Sequence, residues 1–370
     1  MVYRAIGLMS GSSLDGLDIA FAEFQEQAGK WSYNMIQTEC YAYPDEWVSK
    51  LKNAIQLTAK EYQLLHTEYG HYTGQQVNKF IDEHQLHYQV AVIASHGHTT
   101  FHIPAKKMTA QLGDGAAIAA ETQLPVVTDL RSMDIAFGGQ GAPIVPVGEK
   151  LLMGEYDFFL NLGGIANISM NADQYIAFDV CPANRVLNML ANELDKEYDD
   201  GGQIAATGKV NTALLEKLNA LDYYKQTYPK SLANDFGTDV VYPIIKNAGI
   251  EIKDAVRTYT EHIAFQIKKA INSLGNLKPH PHNTMVTNFK LLATGGGTFN
   301  TFLIRQLSDI LKELSIEIIV PDKKLVNYKE ALIMAFIGVL RWRQEYNVLA
   351  SVTGATRDSI GGALWTGQEA

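Results

Sequence analysis

The chain is poor in features that mark several classes of protein. Only two of its 370 residues are cysteines, Cys40 and Cys181, too few for a disulfide framework, and this favours a reducing compartment. The formal net charge of −9 disfavours nucleic acid or an anionic membrane as a main partner. No run approaches the roughly 20 apolar residues of a membrane-spanning helix, and the N-terminus lacks the pattern of a signal peptide. We therefore expect a soluble, cytoplasmic protein.

The chain also lacks the Gly-Lys-Ser/Thr sequence of a Walker-type phosphate loop, so a P-loop fold is not supported. It has no low-complexity segment and no long linker. Its hydrophobic fraction of 46% is ordinary for a globular protein. Because 370 residues exceed the length of one typical domain, the chain is predicted to form two.

Glycine is what the chain does have, and it is concentrated in turns. The first such turn follows an apolar run and precedes alternating apolar and polar residues, which indicates strand, tight turn, strand. Gly11 and Gly16 are expected to permit positive φ and close backbone approach, so this turn could cradle phosphate oxygens. Asp15 or Asp18 could hold a hydrated metal ion. The alternative is an ordinary hairpin turn without a ligand.

The same pattern returns later in the chain. Residues 158–169 again indicate apolar strand, glycine-rich turn and apolar strand. Residues 291–300 place three consecutive glycines between a strand and a helical pattern. Two glycine-rich hairpins followed by a third glycine turn is the order found in actin-like nucleotide-binding proteins.

A carboxylate between these glycine turns is the strongest candidate for catalysis. Asp179 stands at the end of an apolar strand, just before a proline that can begin a helix. A carboxylate held rigidly there can act as a general base. It can also be an aspartate that merely caps the helix, and the residues alone leave both interpretations open.

Taken in order, these segments resemble the anhydro-N-acetylmuramic acid kinase family. The resemblance covers nearly the whole chain and is most specific at the N-terminal hairpin and at Gly-Gly-Gln-Gly-Ala-Pro, residues 138–143. The segments that carry it are 6–21, 95–99, 111–114, 129–134, 138–146, 158–169, 179–184, 295–297, 330–331 and 351–355.

The resemblance implies a duplicated actin-like (ribonuclease H-like) α/β fold, a two-domain sugar-kinase fold with an inter-domain cleft. The N-terminal domain is expected to comprise residues 1–130 and about 348–370, and the C-terminal domain residues 131–347. Residues 129–143 are predicted to be a long loop that crosses between the halves.

Hydrophobic periodicity agrees with this duplication. It predicts strands at 2–9, 17–25, 31–39, 90–94, 125–127, 157–162, 165–170, 175–179, 289–293 and 315–320. It predicts helices near 45–57, 61–84, 116–122, 183–196, 210–219, 239–248, 253–274, 299–313 and 329–346. The proline- and histidine-rich stretch 279–283 is predicted to be a surface loop.

The implied activity is that of an ATP-dependent sugar kinase. It would open the 1,6-anhydro ring of anhydro-N-acetylmuramic acid with water and phosphorylate O6, giving N-acetylmuramic acid 6-phosphate and ADP in cell-wall recycling. ATP and Mg²⁺ are the expected cofactors, a small sugar is the expected partner, and a homodimer is the expected state. The alternatives are a kinase for a different anhydro or amino sugar, and a non-catalytic actin-like nucleotide-binding regulator, which the retained Asp179 disfavours.

The resemblance also assigns roles to individual positions. Asp179 would activate the attacking water, and Arg131 would grip the substrate's carboxylate, unless it only clamps the domains together. Nucleotide-binding positions are Gly11, Ser12, Ser13, Leu14, Asp15, Gly16, Leu17, Asp18, Asn161, Gly163, Gly164, Asn167, Gly295, Gly296 and Gly297. Substrate-binding positions are His96, Arg131, Asp134, Asn184 and Glu330, with Asp15 and Asp18 for the metal. The alternative for Glu330, which is expected to begin its helix, is a carboxylate that is only favoured there by the helix dipole.

Several residues depart from the family pattern. Cys181 and Ala183 replace two glycines in the catalytic turn and restrict φ there. The other departures are Asn188 for aspartate, Ser132 and Met133 for arginines, Asn234 for an arginine that could contact an anion, and His98 for glutamine. The nucleotide-binding segments match the family pattern better than the sugar-binding segments do. These changes therefore bear on the identity of the sugar more than on the fold or the use of ATP.

Overall fold

The computed structural model describes residues 1–11, 13–172, 174–233, 235–275 and 288–367. The loop predicted at 279–283 and the positions Ser12 and Asn234 lie outside these residues. The chain divides into two compact units, the first made of Met1–Met153 and Tyr328–Ala370 and the second of Gly154–Asn327.

The described residues contain two sheets. The strands are β1 Val2–Ser10, β2 Gly16–Gln27, β3 Lys30–Ala42, β4 Val92–Ile103, β5 Met108–Leu112, β6 Val126–Thr128, β7 Phe158–Leu162, β8 Ile165–Met170, β9 Ile176–Pro182, β10 Phe289–Thr294, β11 Ile316–Ile319 and β12 Ala363–Trp365. The first unit's sheet has the order β12-β6-β4-β1-β2-β3, with β5 paired to β4, and the second unit's sheet has the order β11-β10-β7-β8-β9.

Helices follow the meanders in both units. They are α1 Asp45–Asn53, α2 Ala59–Glu83, α3 Gly115–Thr122, α4 Ser132–Ala136, α5 Pro146–Leu152, α6 Asn184–Asn192, α7 Gln203–Thr207, α8 Thr212–Asn219, α9 Tyr242–Lys246, α10 Ile252–Ser273, α11 Thr301–Leu311, α12 Lys323–Trp342 and α13 Ala350–Thr353. A π-helix covers Phe236–Val241. None of the helices in the described part of the chain is long and apolar enough to cross a membrane.

Each sheet repeats one order of strands. In the first unit β1, β2 and β3 form an antiparallel meander, β4 is parallel to β1, and β6 is parallel to β4. In the second unit β7, β8 and β9 form the meander, β10 is parallel to β7, and β11 is parallel to β10. This repeat confirms the predicted duplicated, ribonuclease H-like α/β architecture.

Hydrophobic alternation explains the meander of the first unit. Inward-facing residues of β1 and β2, such as Ile6, Leu8 and Phe21, are fully buried, as expected for strands with period-two side chains. Helix α2 begins at a capping box between Thr58 and Glu61. It buries an apolar stripe that belongs to the same core.

The second unit has its own core. Helix α10 buries a long apolar face, including Tyr259, Ile263 and Ile267, in the cluster that holds the inner side chains of β7, β8 and β9. The Tyr259 hydroxyl donates to the carbonyl oxygen of Pro182 at 2.8 Å. The last residue of β9 is thereby fixed against α10, just after Asp179.

The predicted domain boundaries at 130 and 348 are wrong, because residues 131–153 and the greater part of α12 belong to the first unit. The buried Lys329 ammonium pairs with the buried Glu149 carboxylate at 2.8 Å. A Cβ added at Gly148 would lie 2.5 Å from Ile333, so α5 packs directly on α12. These long-range contacts fasten both segments to the first unit.

The loop predicted to cross between the halves also lies wholly in the first unit and includes α4. Strand β4 continues to Ile103 instead of ending near His96, because it pairs with β5, which the sequence did not predict. The short strand β12 and the helix α5 were missed as well. Each depends on a partner distant in sequence.

Candidate active site

The first glycine-rich hairpin joins β1 to β2 in the first unit. The Ser13 hydroxyl donates to Asp15 Oδ1 at 2.5 Å, and Leu14 has a φ of 59°. The positive φ that Gly11 and Gly16 permit is not used, because among the described residues of this turn Leu14 takes the left-handed position. Close approach at Gly16 is confirmed, since an added Cβ would lie 2.7 Å from the Tyr41 carbonyl oxygen.

Gly11 differs from Gly16. The nearest atom to a Cβ added at Gly11 is the Ser13 hydroxyl oxygen, at 3.3 Å. The fold therefore does not demand a glycine there for packing or for φ. A small residue at this position leaves the backbone accessible to a ligand.

Three carboxylates of the first unit interact electrostatically. Burial raises the pKa of Asp18 to about 6, with smaller contributions from the negative charges of Asp15 and Glu330, while a hydrogen bond from Cys40 lowers it. Burial also raises the pKa of Glu330, opposed by the charges of Lys329 and Arg131. Glu330 lies inside α12, not at its N-terminus, so the predicted helix-dipole role is wrong.

Leu17 lies between Asp15 and Asp18 in the sequence. Its apolar side chain is buried in the core of the first unit. No group of three or more histidine, cysteine or acidic side chains in the described residues is arranged to hold a metal ion. A site for Mg²⁺ would therefore rest on one or two carboxylates, as is usual for nucleotide-bound Mg²⁺.

A buried chain of hydroxyl groups lies beneath this hairpin. Tyr69 and Tyr43 share a hydrogen bond of 2.6 Å between their hydroxyls, Tyr43 donates to Ser10 Oγ at 2.8 Å, and Ser10 Oγ lies 3.0 Å from His98 Nδ1. We call these four residues the Ser10 relay. Burial lowers the pKa of His98, so the ring is neutral and Nδ1 can accept the Ser10 proton.

The buried His96 and the half-buried Arg131 form a second hydrogen-bonded pair. Arg131 Nε donates to His96 Nε2 at 2.9 Å, and Nη1 donates to the Gly141 carbonyl at 2.5 Å. His96 Nδ1 then donates to the Gly97 carbonyl at 2.9 Å. Burial and the Arg131 charge lower the pKa of His96 to about 3, so the ring stays neutral. These contacts use one hydrogen of Nη1 and none of Nη2, which leaves the end of the guanidinium able to bind a carboxylate.

Asp134 is buried, and both of its oxygens are engaged inside the first unit. Oδ2 accepts from the Gly141 amide at 2.7 Å, and Oδ1 accepts from the Thr353 hydroxyl at 2.6 Å. Asp134 therefore shapes the loop that ends at Gly141. Its contact with a sugar stays a prediction.

In the second unit, four polar residues form one row across the sheet. Asp179 on β9 is opposite Asn167 on β8, Asn167 is opposite Asn161 on β7, and Asn161 is opposite Thr294 on β10. Residues directly opposite each other share a face of the sheet. The predicted base is thereby aligned with two predicted nucleotide-binding asparagines and the start of the glycine turn.

Asp179 is held by its surroundings. Its Oδ2 accepts from the Leu232 amide at 2.8 Å, and its carbonyl oxygen accepts from the Tyr223 hydroxyl at 2.7 Å. Burial raises the pKa of Asp179, while the Leu232 amide lowers it. A carboxylate with a raised pKa is a better proton acceptor near neutral pH.

The third glycine turn packs against the second hairpin. Gly295 has a φ of 84°, and a Cβ added there would lie 2.4 Å from Asn161 Oδ1. A Cβ added at Gly297 would lie 2.7 Å from Leu162 Cβ. Asn184 closes the arrangement, because its Nδ2 donates to the Leu162 carbonyl at 2.9 Å.

Three other glycines of this region are open. The nearest atom to a Cβ added at Gly163 is 3.5 Å away, at Gly164 3.8 Å and at Gly296 4.0 Å. The structure thus brings together the residues predicted for this half: Asn161, Gly163, Gly164, Asn167, Asp179, Asn184, Gly295, Gly296 and Gly297.

With this geometry in place, comparison with known proteins decides the family. The sequence model for anhydro-N-acetylmuramic acid kinase matches residues 3–367. The chain belongs to the anhydro-N-acetylmuramic acid kinase family. A relative of that name from Francisella tularensis subsp. novicida is 33% identical over 97% of this chain and 97% of its own, and one from Hydrogenovibrio crunogenus is 31% identical with the same coverage.

Membership of this kinase family confirms the predicted class of enzyme, an ATP-dependent sugar kinase. Among solved structures, component A of the (R)-2-hydroxyglutaryl-CoA dehydratase of Acidaminococcus fermentans is similar at 13% identity, with a TM-score of 0.44 over 91% of this chain and 97% of that one. The assignment to the kinase family rests on the sequence relatives.

Two departures from the family pattern lie at buried positions. Ala183 is fully buried and precedes α6 with a φ of −127° and a ψ of −102°, a combination outside the α and β regions. Cys181 is fully buried in the core, and burial raises the pKa of its thiol.

Two residues of the second unit were not predicted from the sequence. The Lys230 ammonium lies 4.5 Å from the Tyr223 ring centroid, beside the backbone that holds Asp179. The Thr294 hydroxyl is buried and has no hydrogen-bond partner within the described structure, although it ends the same row of residues. Its position just before three glycines was the available signal.

Proposed function

We propose that this kinase opens the 1,6-anhydro ring of anhydro-N-acetylmuramic acid with water and transfers the γ-phosphoryl group of ATP to O6. The products are N-acetylmuramic acid 6-phosphate and ADP, as expected for an enzyme of cell-wall recycling. The observation that carries the proposal is the row that aligns the half-buried Asp179, whose pKa is raised, with Asn167, Asn161 and the glycine turn. The names of its relatives supply the sugar.

In this reaction Asp179 takes a proton from the attacking water. The water oxygen bonds to the anomeric carbon, and the bond from that carbon to O6 breaks. O6 then bonds to the γ-phosphorus while the bond to the β-phosphate oxygen breaks and releases ADP. Since phosphoryl transfer needs positioning and neutralisation of charge more than covalent help, one base is sufficient.

The phosphates of ATP require N–H donors and a cation. The open glycines Gly11, Gly163 and Gly164 leave backbone accessible for phosphate oxygens. Asp18 fits a cation because partial burial, and to a lesser extent the charges of Asp15 and Glu330, raise its pKa, and a nearby positive charge would favour the ionised form. Asp18, supported by Asp15, would hold Mg²⁺, which neutralises charge on the phosphates when bound.

The lactyl carboxylate of the sugar would bind the end of the Arg131 guanidinium. Arg131 stays charged at neutral pH, because burial lowers its pKa only to about 10. His96 fixes the guanidinium through Nε, so a carboxylate would meet a preoriented cation. A homodimer in the cytoplasm, without nucleic acid or membrane partners, is the proposed state.

The decisive test is Asp179→Asn, with Asp222→Asn at an exposed position as the control. We expect kcat to fall by roughly 10²–10⁴-fold because the amide cannot accept a proton, while the Kd for ATP stays unchanged. Product mass should exceed that of the anhydro sugar by one phosphoryl group and one water. A variant that retains more than a small fraction of kcat would remove Asp179 from the role of base.

A kinase for a different anhydro or amino sugar is the second candidate. The observation that favours it is the replacement of two family arginines by Ser132 and Met133 directly after Arg131. ADP release measured with a panel of anhydro and amino sugars distinguishes the two. Anhydro-N-acetylmuramic acid should give the highest kcat/KM, and a higher value for a sugar without a carboxylate would favour the second candidate.

A further inference from the structure

A cavity of about 350 Å³ lies within the first unit, beside His96. Its lining includes His66, His96, Asp129, Ser132 and Trp365. The volume is within the range of small-molecule sites, about 300–1,000 Å³. His96 connects the cavity to Arg131 through their hydrogen bond, but nothing in the proposed reaction uses the rest of the lining.

Trp365 is fixed in the wall of this cavity. Its indole Nε1 donates to the Thr128 hydroxyl at 3.2 Å. The residue that begins α3 must be glycine to admit the ring, because a Cβ added at Gly115 would lie 2.4 Å from Nε1. The side chain is nevertheless 41% exposed. A large aromatic surface held in place and left accessible is a platform on which a flat apolar face can stack.

Asp129 is held at the same cavity in a strained conformation. Its φ is 56°, and the Ser132 hydroxyl donates to its Oδ1. This bond does not use Oδ2, and the side chain is exposed. Residues held in the left-handed region concentrate at ligand sites, where surrounding structure maintains the strain.

The charges of the lining select the ligand. Asp114 and Asp129 contribute carboxylates, Ser95, Thr109 and Ser132 contribute hydroxyls, and the residues that line the cavity include no lysine or arginine. An anionic group would be repelled, whereas hydroxyl groups can donate to the carboxylates. An aromatic platform beside acceptors for hydroxyls suits a sugar ring, which has an apolar face and a rim of hydroxyls.

We propose that this cavity is a carbohydrate subsite that binds an uncharged, hydroxyl-bearing sugar ring, with Trp365 as the stacking surface and Asp129 as the hydroxyl acceptor. The proposal rests on the proposed function and specifies where part of the sugar binds. The ring belongs either to the sugar that is phosphorylated, with its lactyl carboxylate outside the cavity at Arg131, or to a second amino-sugar unit attached to it. Both sources have the same chemistry, and the test separates them.

The test measures binding to the full chain by calorimetry with three probes. These are anhydro-N-acetylmuramic acid, its disaccharide with N-acetylglucosamine, and N-acetylglucosamine alone, with ATP measured in parallel. The variants are Trp365→Ala and Asp129→Asn, and asparagine tolerates positive φ, so the second variant keeps the backbone. The controls are Trp342→Ala, which removes a tryptophan of similar exposure, 44%, and Asp195→Asn, which alters an exposed aspartate with a φ of 55°.

We expect both variants to weaken sugar binding about tenfold, as the loss of a stacked ring or a charged hydrogen bond would, and to leave ATP binding unchanged. Equal losses for the monosaccharide and the disaccharide would assign the cavity to the phosphorylated ring. Loss of only the extra affinity of the disaccharide would assign it to the second ring. Both results support the subsite.

Unchanged sugar affinity in both variants would overturn the subsite, as would equal losses in the two controls or an equal loss of ATP binding. If the wild type phosphorylates the anhydro sugar while the variants match the controls, the subsite fails and the proposed function stands. If the wild type does not phosphorylate that sugar, the proposed function fails and binding of N-acetylglucosamine alone decides the subsite.

Discussion

The two glycine-rich hairpins occupy equivalent places in the two sheets but differ in construction. The turn between β1 and β2 carries a hydroxyl bonded to a carboxylate, Ser13 to Asp15, and a leucine at positive φ. The turn between β7 and β8 carries no charged side chain, and its glycines, Gly163 and Gly164, are open to approach. Duplication of a fold has therefore preserved the path of the backbone and not the chemistry.

The difference suggests a division of roles. The first hairpin gathers carboxylates whose mutual repulsion helps to raise the pKa of Asp18, which suits a cation. The second hairpin offers backbone alone and leads, through Asn167, to Asp179. Both hairpins would thus contact the phosphates, while the first also serves the metal and the second leads to the base.

Among changes to the hairpins themselves, the largest expected effect comes from closing Gly11 and Gly163. Gly11→Val and Gly163→Val should each lower kcat/KM for ATP about 10²-fold, because displacement of a bound group by an ångström has that effect. The free energy of unfolding should change little, since the nearest atom to an added Cβ is the movable Ser13 hydroxyl oxygen at 3.3 Å for Gly11 and the Ile165 carbonyl oxygen at 3.5 Å for Gly163. Steady-state kinetics at varied ATP and denaturation with urea measure the two quantities.

Gly29→Asn is the control for these variants. Gly29 lies in the turn between β2 and β3, nothing lies within 4 Å of an added Cβ, and its φ of 77° suits asparagine. If Gly11→Val retained wild-type affinity for ATP while Gly163→Val lost it, only the second hairpin would cradle phosphate, and the comparison would become sharper.

Substitutions in a second pair of glycines, Gly295 and Gly297, should instead lower the stability of the fold. Gly295→Ala and Gly297→Ala place a Cβ within 2.7 Å of neighbouring atoms, and Gly295 also has positive φ. We expect each to lower the free energy of unfolding by about 1–3 kcal/mol, the usual penalty for overpacking. Gly163→Ala, the matched control, should leave stability unchanged. Equal stabilities would show that the third turn adjusts freely.

Much of the fold followed from local pattern, because alternation along β1–β3 and β7–β9 is a property of short segments. The place of Asp179 at a strand end was likewise visible in sequence. The sequence did not show which turn residue has positive φ, because Leu14 takes that position only once the register of β1 and β2 is fixed. The sequence pattern also did not distinguish the glycines from one another, although an added Cβ finds space at Gly164 and collides with Leu162 at Gly297.

The domain boundary was unpredictable for a related reason. Helix α12 packs on β1 so closely that a Cβ at Gly7 would lie 1.9 Å from the Ala331 carbonyl oxygen. Residues more than 300 positions apart determine this contact, and no window of sequence contains both. Glu330 was therefore assigned to the wrong half, although its proximity to Asp18 is what links it to the first hairpin.

A smaller effect is expected from titration of Asp18, whose pKa of about 6 distinguishes the first hairpin. Since the cation needs the ionised carboxylate, kcat/KM for Mg²⁺-ATP should fall about tenfold for each pH unit below 6. Asp18→Asn should remove this dependence. At saturating ATP, kcat instead reports Asp179, so the two limbs can be measured separately.

The contribution of Asp18 to stability should decrease as the pH rises, opposite to the change in kcat/KM. Because the folded pKa of Asp18 is above its ordinary value of 3.8, its contribution to the free energy of unfolding is complete below that value and is lost as the pH rises through about 6. Asp18→Asn should thus be more stable than the wild type at pH 7 without ligand. Urea denaturation at pH 4 and pH 7 checks the sign, and lower stability of the variant at pH 7 would contradict it.

The smallest expected effect concerns the Ser10 relay, which supports the first hairpin from below. Tyr43→Phe removes the donor to Ser10 Oγ and should lower the free energy of unfolding by about 1 kcal/mol, the net value of one hydrogen bond. If the relay also positions the hairpin, KM for ATP should rise about twofold to fivefold, less than the effect of a blocked turn. Tyr72→Phe is the control, because its ring packs 6.1 Å from that of Tyr43 outside the relay. Loss of stability with an unchanged KM would limit the relay to a structural role and leave the turn itself as the difference between the hairpins.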